Sequence, residues 1–441
     1  MVFSDRGRAV VLIGIFILVA GFAFTNYILT LLGIFLIIGS VASSPFFQLT
    51  MPVEALEVTR EIDKHNIFQD DFFQVKLTVK NKGAHRIDSV DIFDVYPEVF
   101  RLVLGKNTIR TRIDPNQEVK FSYILQAPLR GQFTFGPTKF QIYDRLEYRF
   151  EEMSGENFEN LLIYPNVEEV RIMESLAQKR RLGHMFGIHK TRQMSMGTDF
   201  TGIRRYEFGD EYRRIDWKSS ARLQKLMMRQ YETERNIRMF IILDIGSTMA
   251  AGRPEYSKLE AAIKAALMLG KMAMERKDHV GLLTWSTKQH AYLKPGLGDA
   301  HYHRMLDELA QVEAGGEFDL TEAVQYLAPR VNQQSFFIIL SDLESNRKQL
   351  EKGIKLIRGY KHNAIIVSPF GPWFEIEEIY LSPVERALGE AIVHKLLEEQ
   401  SALAKSFRRV GVHIIPVGPG DFLPTLLSEY LKAKKRSIAV I

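Results

Sequence analysis

The sequence contains no cysteine among its 441 residues. This absence excludes disulfide bonds, thiolate nucleophiles, iron–sulfur clusters and cysteine-ligated zinc sites. The chain also has little excess charge, because 58 Lys and Arg residues against 53 Asp and Glu residues leave a formal net charge of +5. So small a positive balance does not argue for a nucleic-acid partner, and we predict none.

Common catalytic motifs are absent from the sequence as well. The segment from Gly246 to Gly252 has neither the spacing nor the lysine of a phosphate-binding P-loop. Neither His-Glu-x-x-His nor Gly-x-Ser-x-Gly occurs anywhere in the sequence. We therefore expect a protein that is not an enzyme.

Long apolar sequence is confined to the N-terminus. No charged residue lies between Ala9 and Ala42, and a single helix of roughly 34 residues would exceed a hydrocarbon core of ~30 Å. The polar triplet Thr25-Asn26-Tyr27 divides this segment. We therefore predict a two-helix transmembrane hairpin over residues 1–45, with spans at about 9–24 and 28–42.

The charges before the first span predict its orientation. Arg6 and Arg8 favour a cytosolic N-terminus. A hairpin returns the chain to the side where it began, so an integral protein of the cell membrane with cytoplasmic soluble domains is expected. A secretory signal peptide fits less well, because a second apolar run follows at once without a small-residue cleavage site. A single span would instead place the soluble domains outside.

The sequence from 52 to 165 has the period of β-strands. Phe73, Val75, Leu77 and Val79 alternate with polar residues, which is typical of a half-buried strand. Short runs of the same kind follow, separated by turn signals such as Arg130-Gly131. They lie at 90–95, 108–113, 119–125, 132–135 and 138–143. This spacing predicts an antiparallel β-sandwich of immunoglobulin-like type that acts as a spacer or binding module.

The sequence from 235 to 435 alternates strands with helices. Met239–Leu243 is a continuous apolar run typical of a buried parallel strand. Further strands are predicted at 280–285, 336–340, 364–367 and 412–417, and helices at 259–274, 303–312, 319–328, 347–358, 384–408 and 423–434. This alternation predicts a doubly wound α/β domain, followed by a short tail at 436–441.

Acidic residues follow two of these predicted strands. Asp244 ends the first strand, with the hydroxyls of Ser247 and Thr248 shortly after it, and Asp342 follows the strand at 336–340. Ligands of doubly wound sheets bind at the carboxyl ends of the strands. Oxygen ligands of this kind suit Mg²⁺. The alternative is that these residues only cap the turns and helices that follow.

The segment between these two domains, residues 166–234, combines aromatic residues with charges of both signs. Tyr206, Phe208, Tyr212 and Trp217 lie among Arg, Asp and Glu residues. We predict that this segment packs on the α/β domain, with its aromatic side chains buried and its Arg–carboxylate pairs satisfying one another.

This segment also contains a run that resembles the signature of family fifty-eight of the domains of unknown function. Its residues are Tyr206, Gly209, Asp210, Arg213, Ile215, Asp216, Trp217, Ala221 and Arg222. Upstream, 128–137 and Tyr164-Pro165 resemble the same family, whereas Asp144–Tyr148 departs from its Asp-Pro-Phe-Gly-Leu. The resemblance implies N-terminal membrane helices joined to a von Willebrand factor A-like domain.

The resemblance also implies a metal-ion-dependent adhesion site. Asp244, Thr248 and Asp342 match its first, last-hydroxyl and third-loop positions. Gly246 replaces the first serine of the family pattern. In the second loop Glu317 stands where a threonine is expected, and Thr321 could serve only if the loop runs differently. The sequence thus leaves open a Mg²⁺ site and a degenerate one.

The implied function is that of a membrane-anchored interaction module. The family resemblance implies a MoxR-type AAA+ ATPase as partner, acting with this chain in the assembly or maturation of an unidentified client protein. One alternative is a structural scaffold with a degenerate metal site. The other is a hydrolase with Asp244, Asp342 and Glu317 around Mg²⁺, for which the sequence offers no evident base or nucleophile.

Overall fold

A computed structural model describes most of the chain: residues 2–50, 56–64, 66–166, 199–208, 210–232, 236–288, 290–344, 347–375, 383–408 and 411–439. Gly209 of the signature lies outside the described residues. The chain divides into two compact units, Met1–Pro165 and Asn166–Ile441. We describe each unit by itself.

The first unit begins with strand β1 (Val2–Phe3) and two helices, α1 (Asp5–Ala23) and α2 (Tyr27–Thr50). The break between the helices falls within the predicted polar triplet, where Thr25 has a φ of +51° and the Asn26 side chain accepts from the Ile28 amide at 3.0 Å. Among the described residues, one helix, Asp5–Ala23, is long and apolar enough to cross a membrane, and the apolar helical segment Tyr27–Val41 is shorter.

Glycines bring the two helices close together. A Cβ added to Gly21 would lie 2.5 Å from the Thr30 amide nitrogen, and one added to Gly33 would lie 2.7 Å from the Leu18 nitrogen. Only a residue without a side chain allows such an approach of two backbones. The helices therefore pack antiparallel with glycine at their contact.

The rest of the first unit consists of strands in three sheets. Their bounds are β2 (Leu56–Ile62), β3 (Ile67–Phe68), β4 (Phe72–Asn81), β5 (Ile87–Phe93), β6 (Arg101–Gly105), β7 (Thr108–Ile113), β8 (Glu118–Gln126), β9 (Gly131–Phe135), β10 (Lys139–Tyr143), β11 (Arg149–Ser154) and β12 (Glu159–Tyr164). The sheet orders are β1-β11-β10-β5-β7, β2-β4-β8-β6 and β3-β12-β9. Apart from the parallel pair of β3 and β12, the strand pairs in this unit are antiparallel.

Two apolar clusters fill this unit, and both include residues of β4. Leu77 and Val79 pack with residues of β5, β7 and β10, whereas Phe73 and Val75 pack with residues of β3, β8, β9 and β12. All four side chains are at most 1% exposed. The predicted alternation in β4 is therefore observed, and it places the central sheet against both of the others.

The second unit contains a six-stranded sheet with helices. Its strands are β15 (Arg238–Asp244), β16 (His279–Trp285), β17 (His290–Gly296), β18 (Phe336–Leu340), β19 (Asn363–Pro369) and β20 (His413–Val417). Their order is β17-β16-β15-β18-β19-β20, and every pair is parallel except β16 with β17. This is the doubly wound order, and β15 and β18 flank the point where the strand order reverses.

The sequence did not predict β17, which forms the antiparallel edge of this sheet. The principal helices around the sheet are α4 (Lys258–Glu275), α5 (Asp299–Ala310), α6 (Leu320–Leu327), α7 (Arg347–Gly359), α8 (Gly371–Glu375), α9 (Pro383–Arg408) and α10 (Phe422–Ala439). Helix α10 runs into the predicted tail, so residues 436–439 are helical rather than a separate segment.

Candidate functional site

Two aspartates meet at the carboxyl ends of β15 and β18. Asp244 is 1% exposed, and its carboxylate accepts from the Gly246 amide at 2.7 Å and from the Ser341 hydroxyl at 2.6 Å. Asp342 follows Ser341 directly, and the amide of Glu344 donates to it at 3.1 Å. The two residues predicted from strand ends therefore lie beside each other at the reversal point of the sheet.

A lysine reaches the same place from the start of α4. The ammonium of Lys258 lies 3.1 Å from the Asp342 carboxylate and 2.7 Å from that of Glu344. Lys258 is 0% exposed. Burial opposes its charge, but the hydrogen bond that it donates to Glu344 and the charge of Asp342 outweigh that cost and raise the pKa of Lys258. The sequence analysis missed this residue, together with Ser341 and Glu344.

Two of the remaining metal candidates donate their hydroxyls to backbone carbonyls, and the other two are exposed. The hydroxyl of Ser247 donates to the Gly316 carbonyl at 2.8 Å, and that of Thr321 donates to the Gln349 carbonyl at 2.7 Å. Thr248 is exposed in a short 3-10 helix at 247–250, and Glu317 is exposed in the loop that approaches it. The hydroxyl of Thr321 therefore joins α6 to α7 instead of facing the strand ends.

Burial and the charge of Asp342 raise the pKa of Asp244 to about 7, against the hydrogen bonds from Ser341 and Gly246. A carboxyl whose pKa is raised in the folded state favours unfolding as the pH rises from its usual value to the raised one. Asp244→Asn keeps a neutral side chain of the same shape. We expect the stability of the wild type relative to this variant to fall by about 2 kcal/mol between pH ~5.5 and ~7.5.

Thermal unfolding of both proteins in detergent across this pH range measures the difference. If the two profiles run parallel, the carboxyl of Asp244 keeps the same charge throughout, and the prediction is wrong.

The signature residues form a small module of two paired strands and a short helix. Strands β13 (Asp199–Arg205) and β14 (Met227–Glu232) pair antiparallel, and helix α3 (Trp217–Leu223) lies between them in the chain. Two buried carboxylates organise the module. Asp210 accepts from Arg204 at 2.6 Å and from the Glu207 amide at 2.9 Å. Hydrogen bonding to Arg204 lowers the pKa of Asp210.

Asp216 is the second of these carboxylates, and it begins α3. It accepts from the Ser219 amide at 2.9 Å, as an N-cap residue does, and from Arg229 at 3.0 Å. These bonds, that of the Ser219 amide first, lower the pKa of Asp216. The predicted pairing of arginines with carboxylates is therefore present in the module at Asp210 and Asp216.

The prediction that the aromatic side chains of this segment are buried is wrong for three of the four. Phe208, Tyr212 and Trp217 are 104%, 71% and 67% exposed, and of the four aromatic residues Tyr206 alone is half-buried, stacked on Tyr212 at 5.7 Å between ring centroids. The carboxylates take the interior of the module, so these three rings point outward. Arg213 and Arg222 are exposed as well.

Comparison with known proteins agrees with the signature. Residues 202–370 match the family model described as "Protein of unknown function DUF58", so the predicted resemblance is confirmed over this range. The chain is similar to the uncharacterized protein YeaD of Bacillus subtilis, with 22% identity over 59% of this chain and 63% of that protein. It is also similar to the uncharacterized protein Rv1480 of Mycobacterium tuberculosis, with 24% identity over 39% of this chain and 56% of that protein.

The similarity thus spans less than two thirds of the length of either relative. Among solved structures, the SpRpn10 VWA domain has a TM-score of 0.29 and 14% identity, over 44% of this chain and 94% of that domain.

Proposed function

We propose that this chain, which matches the DUF58 family over residues 202–370, is a membrane-anchored, non-enzymatic protein-interaction module. The exposure of Phe208, Tyr212 and Trp217 carries the proposal. Large aromatic side chains exposed within one short segment are typical of binding sites, because aromatic residues are enriched among those that dominate the binding energy of protein interfaces. We call these three residues the signature aromatics.

The charges around the signature aromatics favour an acidic partner surface. Between Arg205 and Lys225, five exposed Arg or Lys side chains accompany two exposed Glu side chains. Arg, Tyr and Trp are the residues most enriched among those that dominate binding. The family resemblance leads us to propose a MoxR-type AAA+ ATPase as the protein that contacts them, in the assembly or maturation of a client.

The proposed anchor is a two-helix membrane hairpin. At its beginning, β1 pairs with β11, and the amide of Ser4 donates to the Tyr148 carbonyl at 2.9 Å. At its end, α2 reaches Thr50 and β2 begins at Leu56. Both ends of the helix pair therefore adjoin the strand-rich part of the first unit, as expected if the pair enters and leaves the bilayer on one side.

With Arg6 and Arg8 in the first turn of α1, ahead of its long apolar stretch, that side is the cytoplasm. The strand-rich region is then an immunoglobulin-like spacer or binding module. The contact at Tyr148 also explains why glycine stands at position 7. The backbone at Tyr148 approaches Gly7 so closely that a Cβ at position 7 would lie 2.0 Å from the Tyr148 carbonyl oxygen.

Cysteine labelling tests the orientation, and the natural absence of cysteine makes it direct. We expect Lys106→Cys, at an exposed position between β6 and β7, to react with a membrane-impermeant maleimide in inside-out vesicles and not in right-side-out vesicles. Thr25→Cys, in the turn between the helices, is the matched control and should show the opposite pattern. Labelling of Lys106→Cys from the outside would exclude an ATP-dependent partner for this chain.

A further inference from the structure

The carboxyl ends of β15 and β18 hold a cation of the chain's own. The family resemblance implies a divalent metal ion at this place. We infer that the ammonium of Lys258 takes the role of the metal ion, so that the site of Asp244 and Asp342 is metal-independent. The inference concerns this site alone and does not depend on the proposed partner.

The ammonium of Lys258 already occupies the position beside Asp342. It lies 3.1 Å from Asp342 and 2.7 Å from Glu344, and its side chain is fully buried. A buried lysine is rare unless it is paired, and an ammonium has three donors and no acceptor. Mg²⁺ binds carboxylate oxygens at about 2.0–2.1 Å and demands near-octahedral geometry. A dication at Asp342 would therefore have to share that carboxylate with a positive charge that cannot reach solvent.

The hydroxyl ligands that the family resemblance implies are incomplete. Gly246 has none, and a Cβ at this position would lie 3.0 Å from the Asp244 carboxylate and 3.3 Å from the Phe318 amide nitrogen. A serine at position 246 would therefore require the Asp244 carboxylate or the loop around Phe318 to shift by a few tenths of an ångström. The hydroxyls of Ser247 and Thr321 are donated to backbone carbonyls elsewhere. Two hydroxyl ligands that the resemblance implies, at position 246 and in the second loop, are therefore missing, so the donor set differs from the one implied for Mg²⁺.

The start of α4 holds Lys258 in this position. It is the first residue of α4, its amide donates to the Ala251 carbonyl at 3.0 Å, and the preceding Ser257 caps the helix through the Glu260 amide. The backbone of Lys258 is therefore held by helix geometry before its side chain reaches Asp342. Loss of either partner of a buried ion pair leaves an uncompensated charge and is strongly destabilising, so the folded state favours keeping Lys258 paired with Asp342.

The test is a titration of the full chain in detergent with Mn²⁺ and Mg²⁺. For the wild type we expect no saturable heat and a change in Tm below about 1 °C at millimolar metal. Lys258→Met removes the ammonium and leaves the carboxylates of Asp342 and Glu344 facing each other. We expect this variant to have a lower Tm without metal and to regain several degrees with Mn²⁺.

Saturable binding by the wild type that Asp342→Asn abolishes would overturn the inference, as would a folded Lys258→Met protein that gains no affinity for Mn²⁺. If Lys258→Met does not fold, Asp342→Asn gives the decision. Its loss in Tm should be the same in EDTA and in Mg²⁺, because the lost partner is a lysine. A loss seen only with Mg²⁺ present would assign the site to the metal.

Discussion

Asp94→Asn should lower the free energy of unfolding of the strand-rich unit by about 3–5 kcal/mol, the cost of breaking a buried ion pair. Asp94 is 0% exposed and accepts from Arg60 at 3.2 Å, from the Tyr123 hydroxyl at 2.6 Å and from the Thr138 hydroxyl at 3.2 Å. Arg60, whose side chain is 2% exposed, would then keep only the partly exposed carboxylate of Glu159, 4.0 Å away, as an acidic partner.

The hydroxyl of Tyr123 is a further donor to Asp94 in this network. Burial and the neighbouring Asp94 raise the pKa of Tyr123, so its hydroxyl stays a donor at every physiological pH. An asparagine at position 94 presents one acceptor and one donor group, and its NH₂ would face either Arg60, which only donates, or Tyr123, whose hydroxyl would have to turn and accept instead of donating. The expected loss is therefore larger than for an exposed pair.

Chemical denaturation of the detergent-solubilised protein measures this loss. Glu57→Gln is the matched control, because Glu57 pairs with Lys82 at 2.8 Å with both side chains more than half exposed. We expect it to cost at most ~1 kcal/mol. Equal losses for Asp94→Asn and Glu57→Gln would show that burial of the Arg60 pair does not govern the stability of this unit.

The parts of the fold that the sequence predicts are those whose signal is local. Met239–Leu243 is apolar throughout because β15 is covered on both faces, and the run alone indicates a central parallel strand. Strand β17 has no such signal, since it lies at the edge, is only half-buried and ends in Lys294-Pro295-Gly296. Its place in the sheet depends on pairing with β16, which the residues of β17 do not reveal.

In the candidate site, too, the residues with a local sequence signal could be predicted and the one without it could not. Asp244 and Asp342 can be found from sequence, because each follows a recognisable strand and parallel strands share an edge. Lys258 cannot, because a lysine at a helix start is expected in solvent. Its burial results from a partner 84 residues later in the chain, a contact that exists only after the sheet has formed. That contact decides which cation the site holds.

In the signature segment the observed burial is the opposite of the one predicted from sequence. Aromatic residues among charges suggest rings inside and charges outside, yet in the module Asp210 and Asp216 are buried whereas Phe208 and Trp217 are exposed. Short carboxylates can satisfy backbone amides at a turn and a helix start, which rings cannot do. The aromatic residues are thus left to contact something other than the module itself.

The double variant Phe208→Ser, Trp217→Ser should lower the amount of AAA+ ATPase recovered with this protein by at least ~30-fold, if each ring contributes as interface hot spots do. Recovery is measured from detergent extract with ATP hydrolysis blocked, and the ATPase is quantified by mass spectrometry. The Tm of the variant should equal that of the wild type, because both side chains are more than 60% exposed and contribute little to the core.

Phe158→Ser is the matched control, since Phe158 is 65% exposed and lies in the first unit. It removes an exposed ring without touching the signature module, and the ATPase should be recovered as with the wild type. If the double variant retains the ATPase while Phe158→Ser loses it, the interface lies in the first unit, and the signature aromatics have another role.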